Sequence, residues 1–434
     1  MKTVKIILFG AGSRSFSSGV IHDLCSEPAF GGDLAADVVL VDLDEAVLAR
    51  RLAYARACAA LSGRPLSFTA TARREEALPG ADFAILSVAV HRDALWEQDQ
   101  RVGAACGFQQ SLAECGGPAG AFHALRNYEI VMPICRDIER LCPKALVLNF
   151  TNPEARILTA ILRTTRLRAV GLCHGFGAFF DLAARTLGRP RDELDIRTAG
   201  MNHFFTYYRI ADRKTGQDLI PAFEAAFDAR LDGQDAITRH LREKFGVVGY
   251  PHGTHTGEYF SGAYELQGHG FDFGTENRPI PRSGPIPMNS RAWDKSGDAP
   301  PARPEDIRPS GELAIGILAD LALGRTSWRP AVNVLNTGRF IPTLAEDGCV
   351  EVPMTVEDGK IIPENVPPLP EAFAALIRLQ HSIQKLVLEA YVHRSKKTLL
   401  QALLLDPVVH SPAMAQKYMD WMLWVQKEYL PEFS

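Results

Sequence analysis

Short runs of apolar residues alternate with helix-like stretches over about the first 170 residues, and this alternation constrains the fold more than any other feature. Runs that are apolar throughout, rather than at every second position, are typical of strands buried on both faces of a sheet. Helices between such strands cover those faces, so the pattern predicts an α/β fold with a doubly wound parallel sheet. The predicted strands are Val4–Phe9, Val38–Val41, Phe83–Val90, Ala145–Phe150 and Arg168–Leu172, and the predicted helices include Glu45–Leu61 and Asn127–Leu141.

The pattern changes after about residue 200. Phe204–Ile210 has the composition of a strand, and the Gly-, Pro- and His-rich region Gly246–Pro304 is long enough to be a functional loop region. Apolar residues at helical spacing predict two packing helices, Glu371–Arg394 and Lys396–Leu405, near the end of the sequence. A mixed α+β region is therefore expected to follow the parallel sheet.

Composition and charge exclude several classes of function. The 434 residues carry 47 Lys and Arg against 51 Asp and Glu, a formal net charge of -4, so broad binding to nucleic acid is not expected. No stretch reaches the ~20 apolar residues of a membrane span, and the apolar run near the start is too short for a signal peptide. The eight cysteines form no C-x-x-C motif, which is typical of reduced cysteines. We therefore expect a cytoplasmic protein without membrane or nucleic-acid partners.

A glycine-rich turn follows the first predicted strand. Gly10 and Gly12 form a G-x-G motif with Ser13, and Ser15 takes the place of a third glycine. Such glycines let the backbone turn tightly and approach a pyrophosphate at the start of the next helix. Asp42 ends the second predicted strand, where a carboxylate can accept hydrogen bonds from both ribose hydroxyls, which favours NAD over NADP. The alternative is a tight turn beside a surface aspartate.

Several further motifs stand in a fixed order along nearly the whole chain. The motifs are Gly10-Ala11-Gly12-Ser13, Glu114-Cys115-Gly116-Gly117-Pro118-Ala119-Gly120, Asn149-Phe150-Thr151-Asn152-Pro153, Cys173-His174-Gly175, Gly200-Met201-Asn202-His203, Asn336-Thr337-Gly338, Val350-Glu351-Val352-Pro353 and Leu403-Leu404-Leu405-Asp406-Pro407. Each motif alone is modest, but the set in register is specific, and it resembles glycoside hydrolase family 4. The part least like the family lies at about residues 210–330.

The resemblance implies a fold similar to lactate and malate dehydrogenases. It implies an NAD-binding Rossmann-like domain over residues 1–195 and an α+β domain that binds substrate and metal over residues 196–434. It also implies NAD and a divalent metal, often manganese, as cofactors. Members of the family hydrolyse glycosides by a route that departs from the two-carboxylate rule. Hydride leaves C3 of the sugar for NAD, a base removes the C2 proton, the C1–O bond breaks by elimination, water adds, and the hydride returns.

Cys173 and His203 are the predicted metal ligands. Cys173 ends a predicted strand, and His203 follows a turn 30 residues later. From spacing alone, a buried thiol and a hydrogen-bonded histidine are the simpler interpretation. The resemblance implies that these two positions hold the metal, which polarises the C3 oxygen. A thiolate and an imidazole leave positions open for sugar hydroxyls and water, as a catalytic metal requires.

Polar residues near the ends of the predicted strands are candidates for substrate contact and catalysis. Asn152 lies where ligands bind doubly wound sheets, and its amide can bond two sugar hydroxyls, although an Asn-Pro turn is the alternative. Asn149 is a candidate for the nicotinamide side. The resemblance implies a tyrosine as the base at C2; Tyr259 is the predicted one, Tyr264 is its competitor, and a packing aromatic is the alternative. A free tyrosine titrates near ~10, so it needs a nearby cation to act at neutral pH.

The Cys-His-Gly triplet bears on the acid and on the sugar. Some family members place an aspartate after the metal cysteine, whereas here His174 can donate a proton to the leaving oxygen or bond a sugar hydroxyl. Cys-His-Gly is most similar to the α-galacturonidases of the family. Arg156 can bind a uronate carboxylate bidentately, unless it pairs with Glu154 or lies at the surface. Further candidate charges are His91, Arg92 and Arg126.

The resulting hypothesis is an NAD- and manganese-dependent glycosidase acting on a small α-linked uronide. The same family leaves α-glucosidase, α-galactosidase and α-glucuronidase activity open. Two other classes are a 2-hydroxy-acid dehydrogenase, which would accumulate NADH, and a non-catalytic NAD-binding regulator, which would tolerate loss of Cys173 and His203. Family analogy also predicts a homodimer or homotetramer, with the C-terminal helices as a candidate interface.

Overall fold

Strands and helices alternate along the part of the chain that the structure describes. The structure is a computed structural model and describes residues 1–13, 16–267 and 303–434. The strands are β1 Lys2–Phe9, β2 Leu34–Val41, β3 Leu66–Thr71, β4 Phe83–Leu86, β5 Leu146–Asn149, β6 Arg168–Gly171, β7 Leu194–Met201, β8 Phe204–Asp212, β9 Ser327–Leu335, β10 Cys349–Glu357 and β11 Lys360–Pro363. The α-helices are α1 Ser17–Ser26, α2 Glu45–Ser62, α3 Arg74–Ala77, α4 Arg92–Cys106, α5 Gly117–Leu141, α6 Glu154–Thr164, α7 Gly175–Leu187, α8 Ile220–Asp228, α9 Ala236–His240, α10 Gly253–Thr256, α11 Ala263–Gln267, α12 Ala314–Leu323, α13 Glu371–His393, α14 Lys396–Leu405 and α15 Pro412–Val425.

The first six strands form a parallel sheet in the order β3-β2-β1-β4-β5-β6. The chain runs from β1 to one edge of the sheet and then crosses over to β4 on the other side of β1. Strands β4 and β5 are buried at every position, as their uninterrupted apolar sequences predict. The predicted α/β class with a Rossmann-like first part is confirmed. Ligands of such sheets bind at the carboxyl ends of the strands where their order reverses, which is between β1 and β4 here.

The remaining strands extend the same sheet rather than forming a separate one. Strand β9 pairs antiparallel with β6 through Asn333 and Gly171, and β10, β7 and β8 follow in that order. Strand β11 pairs with β10. The predicted boundary at residue 195 lies within β7, so both predicted domains contribute strands to one continuous sheet. The division into two domains stays a prediction.

Helix α5 begins at Gly117, ten residues before the start predicted from periodicity, Asn127. All residues from 117 to 128 are buried. A helix that is buried on every side has no single apolar stripe, and small residues let its first turn pack closely. A Cβ on Gly120 would lie 2.7 Å from the carbonyl oxygen of Cys115. The Gly-Pro-Ala-Gly sequence is therefore the tightly packed start of a helix.

The predicted loop region at residues 246–304 is only partly described. Residues 253–267 form short helical turns, including α10 and α11, and residues 268–302 lie outside the described residues. The predicted C-terminal helices correspond to α13 and α14, and α15 follows them. No helix within the described ranges is long and apolar enough to cross a membrane.

Candidate active site

A tight turn at the carboxyl end of β1 carries the predicted dinucleotide motif. Gly10 has a φ of +75°, and a Cβ there would lie 1.9 Å from the carbonyl oxygen of Ser87, so only glycine fits. The Gly12 N–H donates to Oδ2 of Asp42 at 2.8 Å, which joins the turn to the end of β2. The residues at this edge fit a dinucleotide, because a close backbone approach and a carboxylate stand side by side.

Two further residues are predicted for the dinucleotide: Ser13 lies in the same turn, and Asn149 lies at the end of β5. Oγ of Ser13 accepts a hydrogen bond from the Phe16 N–H at 3.3 Å, just before α1 begins. Ser15 lies outside the described residues. Asn149 ends β5, is fully buried, and its amide bonds the backbone of Thr151 in its own turn. Asn149 therefore shapes the turn that presents Asn152.

Asn152 lies beside an ion pair in the turn between β5 and α6. Its Nδ2 donates to Oε1 of Glu114 at 3.2 Å, and the same oxygen accepts a hydrogen bond from Arg92 at 2.5 Å. Burial would raise the pKa of Glu114, but the Arg92 guanidinium outweighs it and lowers that pKa to about 2. The Arg92 side chain is 46% exposed, and its guanidinium also pairs with Asp93 at 3.1 Å and lies over the Trp96 ring.

The predicted metal ligands are brought together. Cys173 follows β6, and His203 lies in the turn between β7 and β8, with its Nε2 3.4 Å from the sulfur of Cys173. Nδ1 of His203 is buried without a hydrogen-bond partner. Burial raises the pKa of Cys173 and lowers that of His203 to about 3, so a thiol faces a neutral imidazole.

This pair fits a divalent metal with open positions. Among the described residues, no three or more His, Cys, Asp or Glu side chains form a metal-binding group. A metal held by these two protein donors would leave most of its coordination shell to sugar oxygens and water, as a catalytic metal requires. A metal at Cys173 would also oppose the effect of burial and favour the thiolate.

The tyrosines near the pair differ in their access to it. Tyr259 is 2% exposed, its hydroxyl lies 3.5 Å from the carbonyl oxygen of Asn202, and burial raises its pKa. Tyr264 is half-buried on α11. Tyr250, which the sequence analysis did not single out, stacks on His203 with ring centroids 5.4 Å apart. The Tyr250 ring therefore lies next to the predicted metal ligands. Because Tyr250 is only half-buried, part of it stays accessible.

His174 and Arg156 lie in contrasting surroundings. The His174 side chain is 71% exposed, and its Nδ1 lies 2.6 Å from Oε1 of Glu312, which raises the His174 pKa. Arg156 is 1% exposed and donates from Nε to the carbonyl oxygen of Cys115 at 3.0 Å. Both Nη atoms of Arg156 are buried without a hydrogen-bond partner. Arg156 thus lies beneath the turn before α5, whereas His174 is open.

Sequence reasoning missed several residues of this region. Glu114 stands in a motif that carries the family resemblance, and its acidic side chain beside glycines is the local signal. Glu258 accepts hydrogen bonds from the backbone N–H groups of residues 114, 115 and 116 at 2.5, 3.0 and 2.9 Å. Tyr250 and Glu312 gave no local signal, because their contacts are made across 47 and 138 residues of sequence. Arg92 and Arg156 had been named, but the sequence could not tell their exposures apart.

The fold and site define an α/β protein with a dinucleotide-type turn and a cysteine–histidine pair at one edge of its sheet. Comparison with known protein families then identifies the family to which this α/β protein belongs. Residues 5–188 match the family 4 glycosyl hydrolase model, and residues 198–409 match the family 4 glycosyl hydrolase C-terminal domain. The chain belongs to the family 4 glycosyl hydrolases, as the motifs predicted.

Relatives of the chain are named as glycosidases of several different substrates. An alpha-glucosidase of Erwinia rhapontici is 28% identical, covering 98% of this chain and 98% of its own. An alpha-galactosidase of Rhizobium meliloti (strain 1021) is 28% identical over 100% of this chain and 90% of its own. An alpha-galacturonidase of Thermoanaerobacter italicus is 26% identical over 98% of this chain and 97% of its own.

Solved structures share the fold. The putative glucosidase lplD from Bacillus subtilis superposes with a TM-score of 0.83 at 22% identity, over 98% of this chain and 100% of its own. A 6-phospho-alpha-glucosidase from gut microorganisms, in complex with NAD and Mn2+, gives 0.79 at 20% identity over the full length of both chains. A malate dehydrogenase from Cryptosporidium parvum gives 0.54 at 14% identity, over 90% of this chain and 99% of its own.

Proposed function

We propose that the chain is an NAD- and manganese-dependent α-glycosidase whose substrate is a small α-galacturonide. The observation that carries the proposal is the approach of Cys173 and His203 to 3.4 Å, on the same sheet as the Gly10–Asp42 dinucleotide turn. Family membership and the NAD and Mn2+ held by a structural neighbour support both cofactors. Bound NAD would supply hydride exchange at the sugar C3, and a bound divalent metal would supply polarisation of the C3 oxygen.

The chain's own residues then have separate tasks. Gly10, Gly12, Ser13 and Asp42 hold the dinucleotide, with Asn149 on the nicotinamide side, and Cys173 and His203 hold the metal. Asn152 orients sugar hydroxyls, because its amide is fixed by Glu114. Nε2 of His174 gives a proton to the leaving oxygen, which takes both electrons of the C1–O bond.

The phenolate oxygen of a deprotonated tyrosine takes the proton from C2 and becomes the hydroxyl. A base must reach that proton, and Tyr259 is the base predicted from the family segment. Tyr250 is the stronger candidate on geometry, because its ring stacks on His203 whereas the Tyr259 hydroxyl is buried against Asn202. Burial raises the pKa of Tyr250, and a cation held by Cys173 and His203 would oppose that shift.

The substrate carboxylate is the finer part of the proposal. Arg92 shares Oε1 of Glu114 with Asn152, so the guanidinium of a partly exposed side chain lies next to the amide that orients the sugar. Arg156 was predicted for this role, but a carboxylate could reach it only if the overlying turn moved. Arg92 is therefore the first candidate for binding the uronate, and Arg156 is the second.

A panel of 4-nitrophenyl glycosides tests the proposal. The panel contains the α-galacturonide, α-glucuronide, α-galactoside and α-glucoside, assayed with NAD, manganese and a thiol reductant. We expect the galacturonide to be cleaved fastest, without net NADH. Sites built for a polar group can reject the analogue that lacks it by ~10⁴-fold, and a partly solvated arginine gives less. Equal rates on the neutral galactoside or glucoside would contradict the proposal that the substrate is a uronide. Net formation of NADH would indicate a 2-hydroxy-acid dehydrogenase instead.

The same panel of glycosides distinguishes the proposed roles of Arg92 and Arg156. Arg92→Ala should compress the ratio of galacturonide to galactoside rates, mostly by slowing the uronide, and Arg156→Ala should leave that ratio nearly unchanged. The reverse result would assign binding of the substrate carboxylate to Arg156. Arg166→Ala is the control, because that side chain is 94% exposed and contacts Glu139 at the surface.

A further inference from the structure

Glu312 contacts the exposed histidine beside the predicted metal pair, although it lies 138 residues further along the chain. Its Oε1 lies 2.6 Å from Nδ1 of His174, and its side chain is 13% exposed against 71% for the histidine. The other carboxylate oxygen of Glu312 is buried without a hydrogen-bond partner. A carboxylate that accepts from Nδ1–H of a histidine fixes the ring plane, and the doubly protonated imidazolium then carries on Nε2 the proton that it can give up.

Glu312 is itself held by the helix that follows the dinucleotide turn. The N–H and Oγ of Ser310 donate to the two carboxylate oxygens of Asp23 on α1, at 2.6 and 2.5 Å. The Glu312 N–H in turn donates to Oγ of Ser310 at 3.0 Å. A Cβ on Gly19 would lie only 3.0 Å from Cβ of Ser310, so this segment rests directly against α1. Glu312 therefore lies on a backbone segment that is anchored by two hydrogen bonds to a buried aspartate.

We propose that Glu312 is a positioning residue: anchored to α1 through Asp23 and Ser310, it holds Nδ1 of His174 and turns Nε2 toward the leaving-group oxygen of the substrate. This inference rests on the proposed function, in which Nε2 gives its proton to that oxygen as the C1–O bond breaks. Glu312 touches neither the sugar nor a cofactor in this arrangement. It acts through the orientation of the imidazole, which would otherwise rotate freely at an exposed position.

Kinetics with two classes of leaving group test the proposal on the enzyme loaded with NAD and manganese. Glycosides of the sugar that the wild type prefers are used, one with a 4-nitrophenyl aglycone and one with a methyl aglycone. A methoxide leaving group needs a proton far more than 4-nitrophenoxide does. We expect Glu312→Ala and His174→Ala each to lower kcat/KM for the methyl glycoside by about 10- to 100-fold, with a change of less than about threefold for 4-nitrophenyl.

Two further variants separate positioning from a general structural effect. Glu312→Gln keeps an acceptor oxygen for Nδ1, so it should recover most of the rate on the methyl glycoside. The double variant His174→Ala/Glu312→Ala should be no slower than His174→Ala alone, because both changes remove one function. Glu305→Gln is the matched control, since Glu305 lies in the same segment, is 62% exposed, and pairs with Arg303 rather than with His174. Losses that multiply in the double variant, or equal losses on both aglycones, would overturn the proposal.

A direct readout keeps the test independent of activity. In protein labelled with nitrogen-15 histidine, the ring signals of His174 are assigned by their loss in His174→Asn. We expect the wild type to show a hydrogen-bonded Nδ1–H, and Glu312→Ala to lose that signature while Glu305→Gln keeps it. An unchanged His174 spectrum in Glu312→Ala would overturn the positioning role. Failure of the wild type to cleave any glycoside would instead overturn the proposed function.

Discussion

Glu114 is the residue on which the charges of the candidate site converge. Its carboxylate accepts from Arg92 and Asn152, and its own N–H is bound by Glu258. With a pKa lowered to about 2 by Arg92 against the effect of burial, Glu114 stays ionised at any working pH. A fixed negative charge near His203 favours a cation at the metal pair, which is the charge that the proposed chemistry requires.

Cys173→Ser should abolish hydrolysis while leaving NAD binding nearly intact. The hydroxyl is a poorer ligand for the metal, whereas the dinucleotide turn at Gly10 and Gly12 lies at other strands of the sheet. We expect at least about a hundredfold loss of kcat. Rates and fluorescence titration with NAD are measured side by side, with the buried Cys135→Ser as control. Wild-type hydrolysis that persists after exhaustive chelation would contradict the metal assignment.

Tyr250→Phe should suppress exchange of the C2 hydron with solvent and lower kcat by about 10²- to 10⁴-fold, because it removes a base and little else. Tyr259→Phe should have a much smaller effect, since its hydroxyl makes one long hydrogen bond to Asn202. Exchange is followed by NMR in D2O with substrate, NAD and manganese. The opposite ranking of the two variants would assign the base to Tyr259.

At the scale of elements, side chains from other segments hold the turn that connects α4 to α5 in place. Glu258 bonds three consecutive backbone N–H groups of this turn, at residues 114 to 116, and the carbonyl oxygen of Cys115 accepts from Arg156. A Cβ on Gly116 would lie 2.6 Å from the carbonyl oxygen of Glu258, so the two segments are in close contact. Helix α5 can therefore begin in a fixed place next to Asn152.

Glu258→Ala should lower both stability and activity. Leaving a buried N–H unpaired costs about 1–3 kcal/mol, and three are released here, so we expect unfolding to become easier by about 3 kcal/mol or more. Thermal and urea unfolding measure the change, and Glu389→Ala on the exposed face of α13 is the matched control. If Glu258→Ala unfolded like the control, the three hydrogen bonds would not be stabilising.

The order of elements in the first part of the chain could be predicted from sequence, because buried parallel strands have uninterrupted apolar sequences. The early start of α5 could not, since residues 117–128 at its beginning are buried on all sides and have no periodic stripe to detect. Cys173 and His203 were predicted as metal ligands through resemblance rather than through spacing, whereas Asn152 was predicted from its position after a strand. Glu312 and Tyr250 escaped detection because only the folded chain brings them next to His174 and His203.

At the scale of the whole molecule, exposed apolar side chains occur on the last three helices. Val392 on α13, Leu404 and Leu405 on α14 and Trp424 on α15 are 42% to 49% exposed. Single exposed apolar residues are common, but their concentration on these helices agrees with the predicted subunit interface. The oligomeric state itself stays a prediction.

Leu405→Glu/Trp424→Glu should shift a dimer or tetramer toward monomer. Burying two added carboxylates in an apolar interface is costly, so association weakens while the monomer fold is unaffected. Light scattering coupled to gel filtration measures the mass. Ile362→Glu is the control, because it replaces an exposed apolar residue on β11 rather than on these helices. An unchanged oligomeric mass in the double variant would exclude this surface as the interface.

The pairing of β6 with β9 has a consequence for how the protein is made. The ribosome completes β6 roughly 150 residues before it begins β9, so the nascent chain presents an unpaired strand edge throughout that interval. At about 5–20 residues per second this lasts on the order of 10–30 s. Exposed edges invite pairing with other chains, so we expect the nascent chain to be most prone to such pairing while residues 172–326 are being translated.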